Sequence, residues 1–260
     1  MTYTTLRLDY DGGIATITLS RPEKRNAIST QMIADLLAAF NEVESSPARV
    51  LILTGSGKAF CAGMDLDGLR AIASQSLQEN LEDSRRIAKM FCRLHSFPKP
   101  VITAVNGAAI AGGCGIATLA DFTLAVPEAK FGYTEVKIGF IPSLVSVFLR
   151  RQIGEKRVRD LLLTGRIVDA AEALQLGLVT EVVPAEKLSE RARELAATLI
   201  AASPTSIALT KQLLLRYDQA AIESEIELAI HENANIRATA DFREGVSSFL
   251  EKRDPKWTGR

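Results

Sequence analysis

Glu135 is the acid whose neighbours could give it chemistry. It stands in "FGYTEVKIGFIP", among Phe131, Tyr133, Val136, Ile138 and Phe140. That setting predicts partial burial. Burial penalises the ionised carboxyl and raises its pKa, which suits a group that takes a proton and returns it near neutral pH. The plainer alternative is a half-exposed glutamate at a helix start, with no chemical task.

Two further stretches offer backbone chemistry. "RVLILTGSGKAFCAGMDL" and "PVITAVNGAAIAGGCG" each run from a buried strand into a turn of small residues. One exposed N–H from each turn would make a donor pair able to hold a carbonyl oxygen as it gains negative charge. A helix start at the second turn would add its dipole. Small residues suit such an approach because a side chain would block it. "AGGCGIATLAD", Ala111–Asp121, sets adjacent glycines where a helix opens, although Gly costs about 1 kcal/mol relative to Ala inside a helix. From Ala111 to Ala120 only Cys114, as a thiolate, could carry charge. Tight strand–helix packing would use Gly-Gly equally well, and spacing alone does not choose.

Other motifs fall away. "GSGKAF" resembles a phosphate loop faintly, but it lacks the earlier glycine and has Ala59 where Ser or Thr should hold Mg²⁺. There is no G-x-S-x-G elbow for a serine hydrolase. His231 and the acids of "ESEIELAIHE" read as a solvated helix face. Two histidines and three distant cysteines, Cys61, Cys92 and Cys114, give no zinc spacing and no disulfide framework. The expectation is therefore no metal.

The elements that must position these residues are legible in outline. The chain has 260 residues, with 31 basic and 31 acidic side chains, so nothing in its charge points to nucleic acid or an anionic membrane. There is no signal-like start and no apolar run long enough to span a bilayer, so a cytoplasmic location is expected. "LRLDY" and "IATITL" flank Asp11-Gly12-Gly13 as a hairpin. Ser29 is a plausible N-cap for "QMIADLLAAFNEVE". "RVLILTG" and "PVITAVNG" are buried strands, "SGKAFCAGMDLDGL" a loop, and Leu77 to Leu94 a helix. "FTLAVP" and "LVTEVVP" are further strands. From Ser143 onward helices dominate: Glu186 to Ala201, one starting at Ser203-Pro204, then Ala220–Ala240 and Asp241–Lys252. The fold class is α/β, with a helical C-terminal module.

In combination, "RPEKRNAI", "GSGKAFCAGMDL", "KPVITAVNGAAIAGGCGIATLAD", "AKFGYTEVKIGFIP", "LLLTGRIVDAAEALQLGLVTEVVP" and "FREGVSSFLEKRDPKW" resemble the crotonase superfamily, the enoyl-CoA hydratase/isomerase family. The resemblance spans essentially the whole chain. It implies a spiral of repeated ββα units over residues 1–200 with the acyl-CoA site. It also implies a helical region, 201–260, that drives assembly into a homotrimer or a dimer of trimers. Coenzyme A enters as part of the substrate and no separate cofactor is implied. By motif, the N–H groups of Met64 and Gly112 match the oxyanion hole and Glu135 the catalytic acid. Arg25 and Ala27 match a loop along CoA, and Ala62, Asp65 and Leu66 the segment near its adenine and pantetheine. Tyr133 is expected near the substrate, and Phe249 and Lys252 match tail positions that reach CoA, often from a neighbouring subunit.

Two departures narrow the activity. Hydratases of this family carry a second glutamate after Gly-Gly-Cys, where this chain has Gly115. The Gly-rich turn that often follows "IP" is "SLVSVFL" here. A single acid resembles the Δ3,Δ2-enoyl-CoA isomerases. One alternative is a hydratase whose water is held by Tyr133, by backbone groups or by a substrate carboxylate. A further alternative is a non-catalytic paralogue that binds CoA or RNA.

Overall fold

The structure is a computed structural model that describes residues 3–72 and 74–260. Strands β1 (Leu6–Asp11) and β2 (Ile14–Leu19) form the expected antiparallel hairpin around Gly12-Gly13, both at positive φ. Helix α1 (Thr30–Ser45) starts at Ser29, whose hydroxyl accepts from the Met32 N–H at 3.2 Å. Then come β3 (Val50–Gly55), β4 (Ala59–Cys61), α2 (Leu66–Ile72) and α3 (Leu77–His95), the last opened by a Ser76–Glu79 capping box. Strands β5 (Val101–Val105) and β6 (Ala108–Ile110) precede α4 (Gly112–Thr118). Strands β7 (Phe122–Ala125) and β8 (Lys130–Gly132) precede a 3-10 turn, Glu135–Ile138. The chain continues through α5 (Ser143–Ile153), α6 (Glu155–Thr164), β9 (Ile167–Asp169), α7 (Ala170–Leu176) and β10 (Glu181–Val182). It ends with α8 (Leu188–Ala201), α9 (Pro204–Ile236) and α10 (Ala240–Glu251).

The strands sort into two sheets. The larger has the order β1-β2-β3-β5-β7-β10 and is parallel from β2 onward; the smaller is β4-β6-β8-β9. After the β1–β2 hairpin and α1, the pairs β3/β4, β5/β6 and β7/β8 each place one strand in the large sheet, the next in the small sheet, and then a helix or helical turn. This is the repeated ββα arrangement that the resemblance implies. The central strands are buried along their length, as "VLIL" and "VITAV" suggest. The consequence for the site lies in the small sheet. β4, β6 and β8 are parallel neighbours, so the segments leaving their carboxyl ends lie side by side.

Three features differ from the sequence reading. The stretch read as one loop contains β4 and α2, and β6 and β9 are also strands of only three residues, too short to show alternation. Residues 204–236 form one helix, not two: no glycine or proline stands between Pro204 and its end at Ile236. Its second half buries Ile226, Ala229 and Ile230, while its first half is largely exposed. The break before α10 falls at Thr239, whose hydroxyl accepts from the Phe242 N–H at 3.1 Å. The last residue of α8 is Ala201.

Candidate active site

The three expected site residues leave the three parallel strands of the small sheet. Met64 follows β4, Gly112 follows β6 and Glu135 follows β8. Short backbone contacts fix their spacing. A Cβ on Gly63, whose φ is +88°, would sit 2.9 Å from the Ile110 carbonyl and 3.1 Å from the Ala111 Cβ. The Ala111 N–H donates to the Gly132 carbonyl at 2.7 Å, tying the second turn to the strand that delivers Glu135. Met64 forms a parallel bridge with Ile28, in which the Ile28 N–H donates to Gly63 and Ile28 accepts from Asp65. That pattern leaves the Met64 N–H outside the ladder. Among the described residues, neither the Met64 nor the Gly112 N–H is donated to a protein acceptor.

The paired glycines separate in role. A Cβ at Gly113 would collide with the Cys61 carbonyl, so Gly113 permits close packing of α4 on β4. Gly112 faces Ile28 and Phe91, and its amide is free. Ala111 before it has φ 51° and ψ −127°, a region that L-residues other than glycine rarely occupy. This strained peptide turns the chain from β6 into α4. Cys114 is no thiolate: burial pushes its thiol up to about 12, and the nearby Glu135 charge acts in the same direction.

Glu135 is buried, and its Oε2 has no partner among the described residues. Burial raises its pKa from 4.5 to about 7, so both protonation states are accessible at neutral pH. Its turn is held from behind by α10. Cβ atoms at Gly139 and Gly245 would overlap the backbones of Asp241 and Ile138, so turn and helix touch main chain to main chain. The tail of the same chain thus covers this turn. Phe242 and Val246 make the contact, with Leu69 and Ile72 of α2 and the partly buried Met64.

The position of Gly115 is closed. A Cβ there would lie 2.6 Å from Val145 Cγ1 and 3.1 Å from Phe91 Cε1. Hydrocarbon fills the space where a second acid would stand.

The remaining expected residues fall into groups. Ala62 donates its N–H to the Arg25 carbonyl at 3.0 Å, and Ala27 is buried beside the Ile28–Met64 bridge, so these two segments adjoin. Arg25 and Leu66 are exposed. The Asp65 carboxylate is committed to Arg21 at 2.7 Å and to the Asp67 N–H at 3.0 Å, which makes it an anchor for the loop. Tyr133 is buried, with its hydroxyl 3.0 Å from the Thr118 hydroxyl. Phe249 is half exposed and Lys252 ends α10 at φ 57°. Neither is among the α10 residues packed on the turn.

Several residues escaped the sequence reading. Asn26, fully buried at φ 55°, accepts from the Arg21 N–H and donates to the Ser56 and Ala59 carbonyls, each at 2.9 Å. It fastens the Arg25–Ala27 loop to the turn after β3 and to β4. A buried asparagine within "RPEKRNAI" was the available signal. Phe91 and Val145 sit in ordinary apolar stripes, and only the fold reveals that they meet Gly115.

Parallel strands of the small sheet thus bring two free amides and a buried carboxyl to one end. The family model described as enoyl-CoA hydratase/isomerase matches residues 9–260. A putative enoyl-CoA hydratase of Thermus thermophilus is 45% identical over 247 residues, covering 95% of this chain and 98% of that one. A 1,2-epoxyphenylacetyl-CoA isomerase of Escherichia coli is 34% identical, covering 95% and 96%. The crystal structure of an enoyl-CoA hydratase/isomerase from Xanthobacter autotrophicus superposes with a TM-score of 0.89 at 28% identity, covering 97% and 98%. The chain belongs to the enoyl-CoA hydratase/isomerase family.

Proposed function

We infer that the protein is an acyl-CoA isomerase that moves a double bond from the Δ3 to the Δ2 position, with Glu135 as its single acid/base. The thioester oxygen accepts from the Met64 and Gly112 N–H groups. Glu135 removes a proton from C2, and the electron pair passes into the thioester to give a dienolate. The oxyanion is held by the two amides, each worth roughly 3 to 4 kcal/mol where one such donor has been removed. The carboxylic acid then returns the proton to C4. The carbonyl re-forms, the new double bond lies between C2 and C3, and the carboxylate is regenerated. No water and no redox partner enters.

The observation that carries this reading is Val145 and Phe91 filling the space beside Gly115. Syn hydration needs water held between two acidic groups, and here the second has neither a side chain nor room for one. Hydration is the second reading, favoured by the name of the Thermus relative. A non-catalytic role fits poorly with a carboxyl kept buried, with Oε2 unpartnered, beside two free amides.

Deuterium exchange at C2 of a saturated acyl-CoA tests the proton abstraction without the natural substrate. Exchange by the wild type and its loss in Glu135→Gln is expected; exchange retained in the variant contradicts the assignment. Assembly as a trimer belongs to the same proposal, supported by the exposed Leu209, Leu213, Leu214 and Tyr217 along α9. Arg25, Ala62 and Leu66 remain the proposed contacts along CoA.

A further inference from the structure

The face of α3 that brings Phe91 to Gly112 and Gly115 does not stay apolar. Toward the helix start it carries buried Ile87, then buried Ser84 and Asp83, then buried Asn80. Against that polar end lies Arg237, just beyond α9 and only 2% exposed. Its Nη1 donates to Asp83 Oδ2 at 2.9 Å and to Asn80 Oδ1 at 3.1 Å, and its Nη2 to Asn233 Oδ1 at 2.8 Å. The guanidinium carbon lies 5.7 Å from the centre of the Phe140 ring. Phe140 in turn donates its N–H to the Glu135 carbonyl at 3.0 Å. The cluster therefore abuts the segment that carries the carboxyl.

One atom of this cluster is unaccounted for. Arg237 Nε is buried without a partner among the described residues. A buried ion pair is seldom more stabilising than the apolar packing it replaces, and a buried donor left unmet adds a further cost. Asp83 already balances the guanidinium, and Arg86 also lies 3.6 Å from Asp83. What remains is a single N–H that fits an oxygen acceptor. From Phe91 to Asp83 the helix advances about 12 Å, the reach of a medium-length acyl chain from its thioester.

We propose that Arg237 is a specificity residue whose Nε–H takes an oxygen at the far end of the acyl chain, so that the preferred substrates are CoA thioesters ending in a carboxylate or a hydroxyl. This rests on the acyl-CoA reading of the site and not on the direction of the proton shift. A plain alkyl end leaves the N–H unmet. A carboxylate joins a cluster of two guanidinium groups and one carboxylate, and a hydroxyl joins as a neutral acceptor.

Calorimetric titration with decanoyl-CoA, 10-hydroxydecanoyl-CoA and decanedioyl-CoA, whose extended chains reach that far, tests the proposal. None of the three can be isomerised, so the result is independent of the reaction assigned to Glu135. The wild type is expected to bind one or both oxygenated thioesters about tenfold more tightly than decanoyl-CoA, and the one that gains names the terminal group. In Arg237→Met the three affinities are expected to converge. Arg237→Lys, which keeps a cation beside Asp83 but lacks Nε–H, serves if the methionine variant does not fold. Equal affinities in the wild type, or a preference that survives in either variant, would overturn the proposal. Failure of all three to bind would overturn the acyl-CoA reading beneath it.

Discussion

Val145 occupies the place that a side chain on residue 115 would need: a Cβ built on Gly115 lies 2.6 Å from Val145 Cγ1. The missing second acid is thus a filled position and not an open one. Substituting Gly115→Glu alone is expected to overpack the site and destabilise the protein by about 1 to 3 kcal/mol, read by thermal or denaturant unfolding. Adding Val145→Gly should recover part of that loss. A double mutant no more stable than Gly115→Glu alone would show that Val145 is not the obstacle.

The raised pKa of Glu135 links activity to stability. The folded carboxyl sits at about 7 against 4.5 for the free group. Between these values the folded protein keeps a proton that the unfolded chain has released. The resulting stabilisation is complete below pH 4.5 and is lost as pH rises toward 7, by at most about 3 kcal/mol. Unfolding curves of wild type and Glu135→Gln across this range should therefore diverge, with the variant relatively more stable at pH 7 and above. Parallel curves would place the carboxyl pKa elsewhere. The rate should rise with pH through an apparent pKa near 7, since the base must be ionised.

The site's frame was legible where chemistry needs backbone and a buried acid, and illegible where it depends on contacts between distant segments. Glu135 among aromatic and aliphatic neighbours predicted its own burial. The two small-residue turns marked the places where Met64 and Gly112 present their amides. The sequence could not divide the work of Gly112 and Gly113, because that division depends on the Cys61 carbonyl, over fifty positions away. The Asp65 carboxylate pairs with Arg21 and the Tyr133 hydroxyl lies beside that of Thr118, and both pairings arise only on folding. The strands β4, β6, β8 and β9 were missed because three residues cannot display a period. The ordering of β4, β6 and β8 in one sheet, which assembles the site, belongs to topology and to no local pattern.

Ala111 holds the second turn in a strained conformation, at φ 51° and ψ −127°. Glycine adopts that region without a Cβ clash, so Ala111→Gly is expected to stabilise the fold by roughly 1 kcal/mol. Ala111→Val should destabilise it by at least as much. If glycine lowers the midpoint of unfolding, the alanine methyl contributes packing that outweighs the strain.

Gly139 and Gly245 press the Glu135 turn and α10 together. Gly245→Ala should push the helix off the turn, lowering kcat by more than tenfold although residue 245 lies outside the proposed reacting groups. Circular dichroism checks that the fold survives. Unchanged kcat in a folded Gly245→Ala protein would mean that α10 does not position the carboxyl.

The direct measurement is a paired assay of 3-hexenoyl-CoA and crotonyl-CoA on the same purified enzyme. A single acid at Glu135 with no room for a second predicts that 3-hexenoyl-CoA gains the absorbance of the conjugated thioester. Crotonyl-CoA should keep that absorbance, and Glu135→Gln should abolish the first reaction by a factor of about 100 or more. Rapid loss of the crotonyl-CoA absorbance, with 3-hexenoyl-CoA left unchanged, would contradict the account.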